Sequence, residues 1–283
     1  MGHLDHWRLN EKPFEELCDA RFFFESDDHR EALDRMLYVV NDRNMHMGLL
    51  TGEVGSGKTI TKTVFQGSLT KNSFDVVGFE NSNFSFNDIL FDIVSRITLR
   101  DVRSGADGAS SIPPRHDKYL LMSVFKNKLE TLLFAEKRHL VLIFDEAQQM
   151  EDGVLDEVKN LTNISSQTQN YLTIFFVGQP ELREKIKRLK QVDQRIFLRF
   201  HLNNLDFVNT TKYIHHRLRI GGVENSSIFS PQAIEMIFRM TGGVPREINR
   251  LCKLALTNGF AQNRSEISAE DIDVIVDDMQ RHG

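Results

Sequence analysis

Apolar residues gather in five short runs, at 47–51, 74–79, 139–144, 172–177 and 196–202. They run on rather than alternating with polar ones. A strand with one wet face alternates; a continuous run indicates a strand covered on both faces. Helical spacing fills the intervals. Strands alternating with helices over about 160 residues predict a mostly parallel sheet with helices on both faces, a three-layer αβα architecture of the α/β class.

Beyond Leu205 the strand pattern stops. Segments 207–220, 230–240, 244–262 and 268–281 all read as helices. Ser230-Pro231 places a cap residue before a first-turn proline, and Ser268 with Asp271 resembles a capping box. This shift predicts a small all-helical C-terminal domain. The stretch 100–117, rich in Gly, Ser and Pro, reads as a mobile surface loop, a kind often functional.

Composition narrows the class. The 283 residues carry a formal net charge of -5, which excludes a globally basic nucleic-acid binder and leaves room for a local basic patch. Cys18 and Cys252 are the only cysteines, without CxxC or Cys/His clustering, so neither a disulfide scaffold nor a structural zinc site is expected. The longest apolar runs, 140–144 and 174–177, fall far short of the ~20 residues of a membrane-spanning helix. The N-terminus has no apolar run of the secretory kind. The expectation is a soluble, cytoplasmic protein.

The sharpest chemical signal is Gly52-Glu53-Val54-Gly55-Ser56-Gly57-Lys58-Thr59, which matches GxxxxGK[ST]. Glycines let the backbone turn tightly, so successive N–H groups aim at phosphate oxygens. Lys58 supplies a compact positive charge for the β- and γ-phosphates, and the Thr59 hydroxyl can ligate Mg²⁺. An apolar strand precedes the motif and a helical pattern follows it, so that the helix dipole adds to the same anion site.

The run 139–144 ends in Asp145-Glu146. Carboxylates at the carboxyl end of a parallel strand stand where ligands bind in such sheets. Asp145 is expected to hold Mg²⁺, directly or through water, and Glu146 to orient and deprotonate the attacking water. An acid pair following a strand is commonly a solvated helix start. Its chain order after the phosphate loop is what favours chemistry, and the adjacent glutamate favours hydrolysis over phosphoryl transfer to a metabolite.

Together GEVGSGKT, LVLIFDEAQQM, LTIFFVGQPELRE, QRIFLRF and TGGVPREINRLC resemble AAA+ ATPases of the general secretion pathway protein A type. WRLNEKPFEEL, DARFFFES and HREAL are similar to the segment that opens that group. The group is also similar to ATPase regulators of transposition and, more distantly, to origin-recognition and clamp-loader ATPases. The resemblance implies an N-terminal segment at 1–44 packing on the nucleotide site, a P-loop nucleotide-binding domain at 45–205 and a helical lid at 206–283. It implies ATP and Mg²⁺ as cofactors. Gln179 falls at the first sensor position, where many AAA+ proteins carry a shorter Asn, Ser or Thr. Arg195 matches the arginine that such ATPases project into a neighbouring subunit's site, with Arg199 as the alternative. Arg246, opening a lid helix, matches the second sensor. Each also has a plainer reading: a capping residue for Gln179, surface ion pairs for the arginines.

An arginine acting in trans implies a ring or helical homo-oligomer. Two roles stay open: driving assembly of a secretion or pilus envelope complex, or an ATP-dependent matchmaker that oligomerises on duplex DNA and recruits a transposase. In the secretion-type family a membrane-spanning helix and a peptidoglycan-binding region often follow the lid. Neither is present here, so a piece of a longer protein or a free-standing relative is expected. The basic run Arg183, Lys185, Lys187, Arg188 and Lys190 reads as a solvated helix face or as a nucleic-acid track. Phe22, Phe23 and Phe24 read as packing residues or as a stack for adenine, and His29 as a residue able to approach the base.

Overall fold

The five apolar runs form strands β1 (Met47–Gly52), β2 (Phe74–Phe79), β3 (His139–Phe144), β4 (Leu172–Gly178) and β5 (Ile196–Leu202). In this computed structural model, which describes residues 2–16, 18–103, 112–165, 170–223 and 227–282, they make a sheet of order β2-β3-β4-β1-β5. The β2–β3, β3–β4 and β4–β1 pairings are all parallel, with Leu142 opposite Ile174 and Ile174 opposite Met47. Every residue of β1, β3 and β4 is buried, as continuous apolar runs require.

The helices, in chain order, are α1 (His3–Trp7), α2 (Asp27–Asp42), α3 (Lys58–Ser68), α4 (Phe86–Arg103), α5 (Lys118–Phe134), α6 (Asp152–Leu161), α7 (Pro180–Arg188), α8 (Lys190–Asp193), α9 (Phe207–Ile220), α10 (Pro231–Thr241), α11 (Pro245–Ala261) and α12 (Ala269–His282). Two compact units emerge: one comprises Glu31–Gly52 with Phe65–His201, the other Met1–Arg30, Glu53–Val64 and Leu202–Gly283.

In the sheet-bearing unit, alternate residues of β4 serve opposite faces. Ile174 and Phe176 join a core with Ile89, Ile93, Leu121, Phe125, Leu155 and Leu182 from α4 to α7. Phe175 points the other way and meets Phe65 edge-on at 5.1 Å. Phe175 also explains Gly48: a Cβ there would lie 2.5 Å from the ring.

Two expectations need correction. The β5 run, at one end of the sheet order, is not covered on both faces: its first and last residues, Ile196 and Leu202, are buried, and Phe197 is 64% exposed. The stretch from residue 100, expected as a loop, begins as helix, since α4 continues to Arg103; residues 104–111 lie outside the described set.

The other unit has its own core, with Ile214, Leu218, Ile234, Ile237, Ile248 and Ile272 from α9 to α12. The N-terminal residues belong to it. The buried Trp7 indole N–H donates to the Leu256 carbonyl at 2.9 Å, and Arg217 donates to the carbonyls of Pro13 and Glu15 while its guanidinium lies 4.5 Å from the Phe22 ring centre. Helix starts match their signals: Ser230 Oγ accepts from the Ala233 N–H ahead of Pro231, and Ser268 and Asp271 cap one another. Among the described residues no helix is long and apolar enough to cross a membrane.

Candidate nucleotide site

The loop leaving β1 turns through two glycines at positive φ, Gly55 at 82° and Gly57 at 99°, where a side chain would strain the backbone. The Ser56 N–H donates to the Glu53 carbonyl at 3.1 Å and closes the turn, and α3 starts at Lys58. The Lys58 ammonium donates to the Glu53 carbonyl at 2.7 Å, so the cation lies back across its own loop. Thr59 follows in the first turn of α3.

Two segments of the same unit close on this loop. At the start of α11, the Arg246 N–H approaches the Gly55 carbonyl at 3.4 Å, and a Cβ on Gly55 would lie 2.7 Å from Arg246 Cβ. The Arg246 guanidinium lies 3.7 Å from Glu16. From the other direction His29 reaches the loop, with Nε2 2.7 Å from where a Gly57 Cβ would stand. The three phenylalanines pack rather than line an open face: Phe22 under Arg217, Phe23 edge-on to His29 at 5.7 Å, Phe24 against Tyr213 at 5.8 Å.

The acid pair belongs to the sheet-bearing unit. Asp145 is buried; its N–H donates to the Phe79 carbonyl at 2.8 Å, and its carboxylate accepts the Glu146 N–H at 3.0 Å. Glu146 sits in the left-handed region, φ 49° and ψ 37°, at the start of a 3-10 turn, Ala147–Gln149. A non-glycine residue there is strained by roughly 1–2 kcal/mol, and such strain gathers at functional sites. The turn lifts Glu146 off the strand axis. Its carboxylate accepts from the side-chain amides of Gln148 at 2.5 Å and Gln179 at 3.3 Å. The Gln179 N–H donates to the Gln148 amide oxygen at 3.2 Å. Gly178 makes room, because a Cβ there would stand 2.4 Å from that oxygen.

The strand order puts the carboxyl ends of β1, β3 and β4 on one edge of the sheet. The loop 53–59 departs from the first of these, Asp145 and Glu146 from the second, and Gln179 from the third. Arg195, just before β5, and Arg199, within it, have other partners. Arg195 donates to Thr162 Oγ1 at 3.1 Å and Asn163 Oδ1 at 2.6 Å, beyond the end of α6. Arg199 donates to the Asp193 carbonyl at 2.7 Å and its carboxylate at 2.9 Å.

Sequence reading missed Gln148, which ties the β3 and β4 tips together, and the embrace of the loop by His29 and Arg246. The signal for Gln148 was its place two residues after Glu146; nothing in its type announced a partner on another strand. The basic run also looks different. Lys185 donates to the carbonyls of Gln148 and Met150, and Lys187 pairs with Glu184 at 2.8 Å. Arg183, Lys187, Arg188 and Lys190 are exposed, and of these Lys187 is paired with Glu184.

A glycine-turned phosphate loop on β1 and an acid pair on β3 of a parallel sheet define a phosphate-loop nucleotide-binding protein. The AAA domain family matches residues 42–186, and the chain belongs to it. It is 32% identical over 269 residues to general secretion pathway protein A of Aeromonas hydrophila, a match covering 93% of this chain and 46% of that protein. The chain thus spans about half the length of that relative. The fold is similar to the Aeropyrum pernix ORC2 protein, with a TM-score of 0.65, 17% identity, and coverage of 95% of this chain and 71% of that one. It is also similar to a chain of the Drosophila ORC bound to DNA, with a TM-score of 0.60, 15% identity, and coverage of 98% and 65%.

The donor set suits magnesium. Among the described residues no group of three or more His, Cys, Asp or Glu forms a closed metal cage. The sheet-bearing unit offers a buried carboxylate on Asp145 and the other unit a hydroxyl on Thr59; each is an oxygen donor of the kind Mg²⁺ takes, phosphates and water usually completing its shell.

Proposed function

We propose that the chain binds ATP with Mg²⁺ and hydrolyses it. The observation that carries this reading is Glu146: a carboxylate directly after a buried aspartate, in a strained left-handed conformation, oriented by two glutamine amides. Strained backbone and paired orienting donors are unusual for a solvated helix start, and they suit a base that must face a fixed water.

In this reading the backbone N–H groups of 53–59 cradle the phosphates, and Lys58 leaves the Glu53 carbonyl to reach the β- and γ-phosphates. Asp145 and Thr59 would hold a magnesium ion, which would supply charge neutralisation on the phosphate oxygens. Glu146 takes the proton of the attacking water. Gln179 positions that water beside it, and Arg246 leaves Glu16 to contact the γ-phosphate from the lid. Arg195 serves a neighbouring copy in a ring or helical homo-oligomer. Its fixed anchoring on Thr162 and Asn163 supports a preset rather than a floppy guanidinium.

We further propose that the ATPase drives assembly of a secretion or pilus envelope complex, on the strength of the likeness to general secretion pathway protein A. The exposed Arg183, Arg188 and Lys190 favour a second reading, a matchmaker that oligomerises on duplex DNA and recruits a transposase. The deciding experiment measures ATP turnover and particle size with and without duplex DNA, at low and moderate salt. ATP-dependent filaments on DNA with steep salt dependence support the matchmaker; indifference to DNA supports the secretion role. In parallel, Lys58→Ala is expected to abolish nucleotide binding, while Glu146→Gln binds ATP without turnover. Full hydrolysis by Glu146→Gln defeats the mechanism.

A further inference from the structure

The phosphate loop must point its N–H groups toward a ligand, so its carbonyls face the protein and need donors there. His29 stands at that rear face. It lies in the first turn of α2 and is almost wholly buried. Its Nδ1 is 2.6 Å from Ser26 Oγ, its ring is edge-on to Phe23, and its Nε2 abuts Gly57 so closely that no side chain fits between. Burial lowers the imidazole's pKa and outweighs the opposing Ser56 backbone contact and Asp28 charge, so the neutral ring is favoured near pH 7. A neutral ring has one donor and one acceptor. If the Ser26 hydroxyl donates to Nδ1, Nε2–H is left to donate to the loop backbone at Ser56. Ser26 then sets the tautomer, as a hydrogen bond to one ring nitrogen commonly does.

We propose that His29 is a positioning residue for the phosphate loop: oriented by Ser26, it braces the backbone at Ser56–Gly57 from behind and fixes the loop in its phosphate-binding shape. This rests on the nucleotide reading above. It differs from a role in recognising the base, because the ring edge is spent on loop backbone and the other nitrogen on Ser26.

The two roles separate by ligand. A brace on the loop matters in proportion to the phosphates engaged, whereas a base contact affects every adenine ligand alike. The test titrates ATP, ADP and adenosine against the unaltered chain and against His29→Ala, His29→Gln and Ser26→Ala, with an unfolding curve for each. His29→Ala is expected to weaken ATP and ADP binding about tenfold, the equivalent of one lost hydrogen bond, and to leave adenosine binding unchanged. His29→Gln retains an amide donor near the Nε2 position and is expected to recover most of the loss. Ser26→Ala keeps the ring but frees its tautomer, and is expected to fall between them; it carries the test if His29→Ala does not fold. Equal loss for adenosine and ATP, wild-type ATP affinity in His29→Ala or Ser26→Ala, or no recovery in His29→Gln overturns the inference. Absence of ATP binding by the unaltered chain overturns the nucleotide reading itself. Intact ATP binding with indifferent variants removes only the role of His29.

Discussion

Gln148 holds Glu146: its amide nitrogen lies 2.5 Å from the glutamate carboxylate, while its amide oxygen takes the Gln179 N–H at 3.2 Å. One side chain therefore fixes both the proposed base at the tip of β3 and the proposed sensor at the tip of β4. Gln148→Ala leaves the carboxylate with the longer Gln179 contact alone, 3.3 Å. Orientation is lost but the base remains, so turnover is expected to fall about tenfold with nucleotide affinity unchanged. That is well short of the roughly 10²–10⁴-fold loss expected for Glu146→Gln. Steady-state hydrolysis and nucleotide titration of both variants check the order. Wild-type turnover in Gln148→Ala would mean that the amide merely fills space.

The paired glycines before α11 make unequal demands. Gly242 ends α10 at φ 57°, and a Cβ there would meet nothing within 4 Å, whereas a Cβ on Gly243, at φ 74°, would lie 1.8 Å from the Leu205 carbonyl oxygen. Gly242→Ala meets only the left-handed penalty, about 1 kcal/mol. Gly243→Ala must also move backbone that carries the 3.0 Å bond from the Leu205 N–H to the Gly243 carbonyl, and a loss above about 3 kcal/mol is expected. Denaturant unfolding of the two variants measures the gap; equal losses would show that Leu205 yields freely.

The sheet and the helical unit were legible because their signals are local. Continuous apolar runs recorded double-sided burial in β1, β3 and β4, and Ser230-Pro231 and Ser268 with Asp271 announced their helix starts. β5 misled because its apolar content, Phe197 included, says nothing of which strands flank it. The glycine turn after β1 and the two acids after β3 were readable from spacing. What spacing could not supply were partners distant in sequence: Gln148 with Gln179, His29 with Gly57, Arg246 with Gly55. In the basic run Lys185 departs from a solvated face for the same reason, since the carbonyls that occupy it come from another turn.

The two arginines of the β5 region are held by different kinds of partner, and this separates their expected effects. Arg195 bridges a neutral hydroxyl and an amide oxygen, while Arg199 is neutralised by Asp193. A guanidinium with neutral partners keeps its charge available to a phosphate. Arg195→Ala is therefore expected to reduce turnover at least 10³-fold, and Arg199→Ala less than tenfold. Mixing Arg195→Ala with Glu146→Gln should restore part of the activity if the arginine serves a neighbour's site, because mixed oligomers then contain some intact pairs. Mixtures no more active than their parts would place the arginine's action elsewhere.

The sheet also contains a histidine that sets a pH limit on stability. His139 opens β3 fully buried, with Nε2 2.8 Å from Thr173 Oγ1. Burial, with the nearby Arg43 charge, lowers its pKa to about 4 from an ordinary 6.5. Below pH 6.5 the unfolded chain takes up a proton that the folded chain refuses, so stability falls as the pH drops from 6.5 toward 4 and is flat above 6.5 for this group. The interval of about 2.5 pH units corresponds to about 3 kcal/mol at most. His139→Leu removes the titrating group and leaves Thr173 its bond to the Met45 carbonyl at 3.3 Å. The variant is expected to lose less stability than the wild type between pH 7 and pH 4.5, whatever their difference at pH 7. Denaturant midpoints across that range decide the matter: parallel curves would mean that His139 is protonated in the folded chain, and that water or a rearranged Thr173 reaches it.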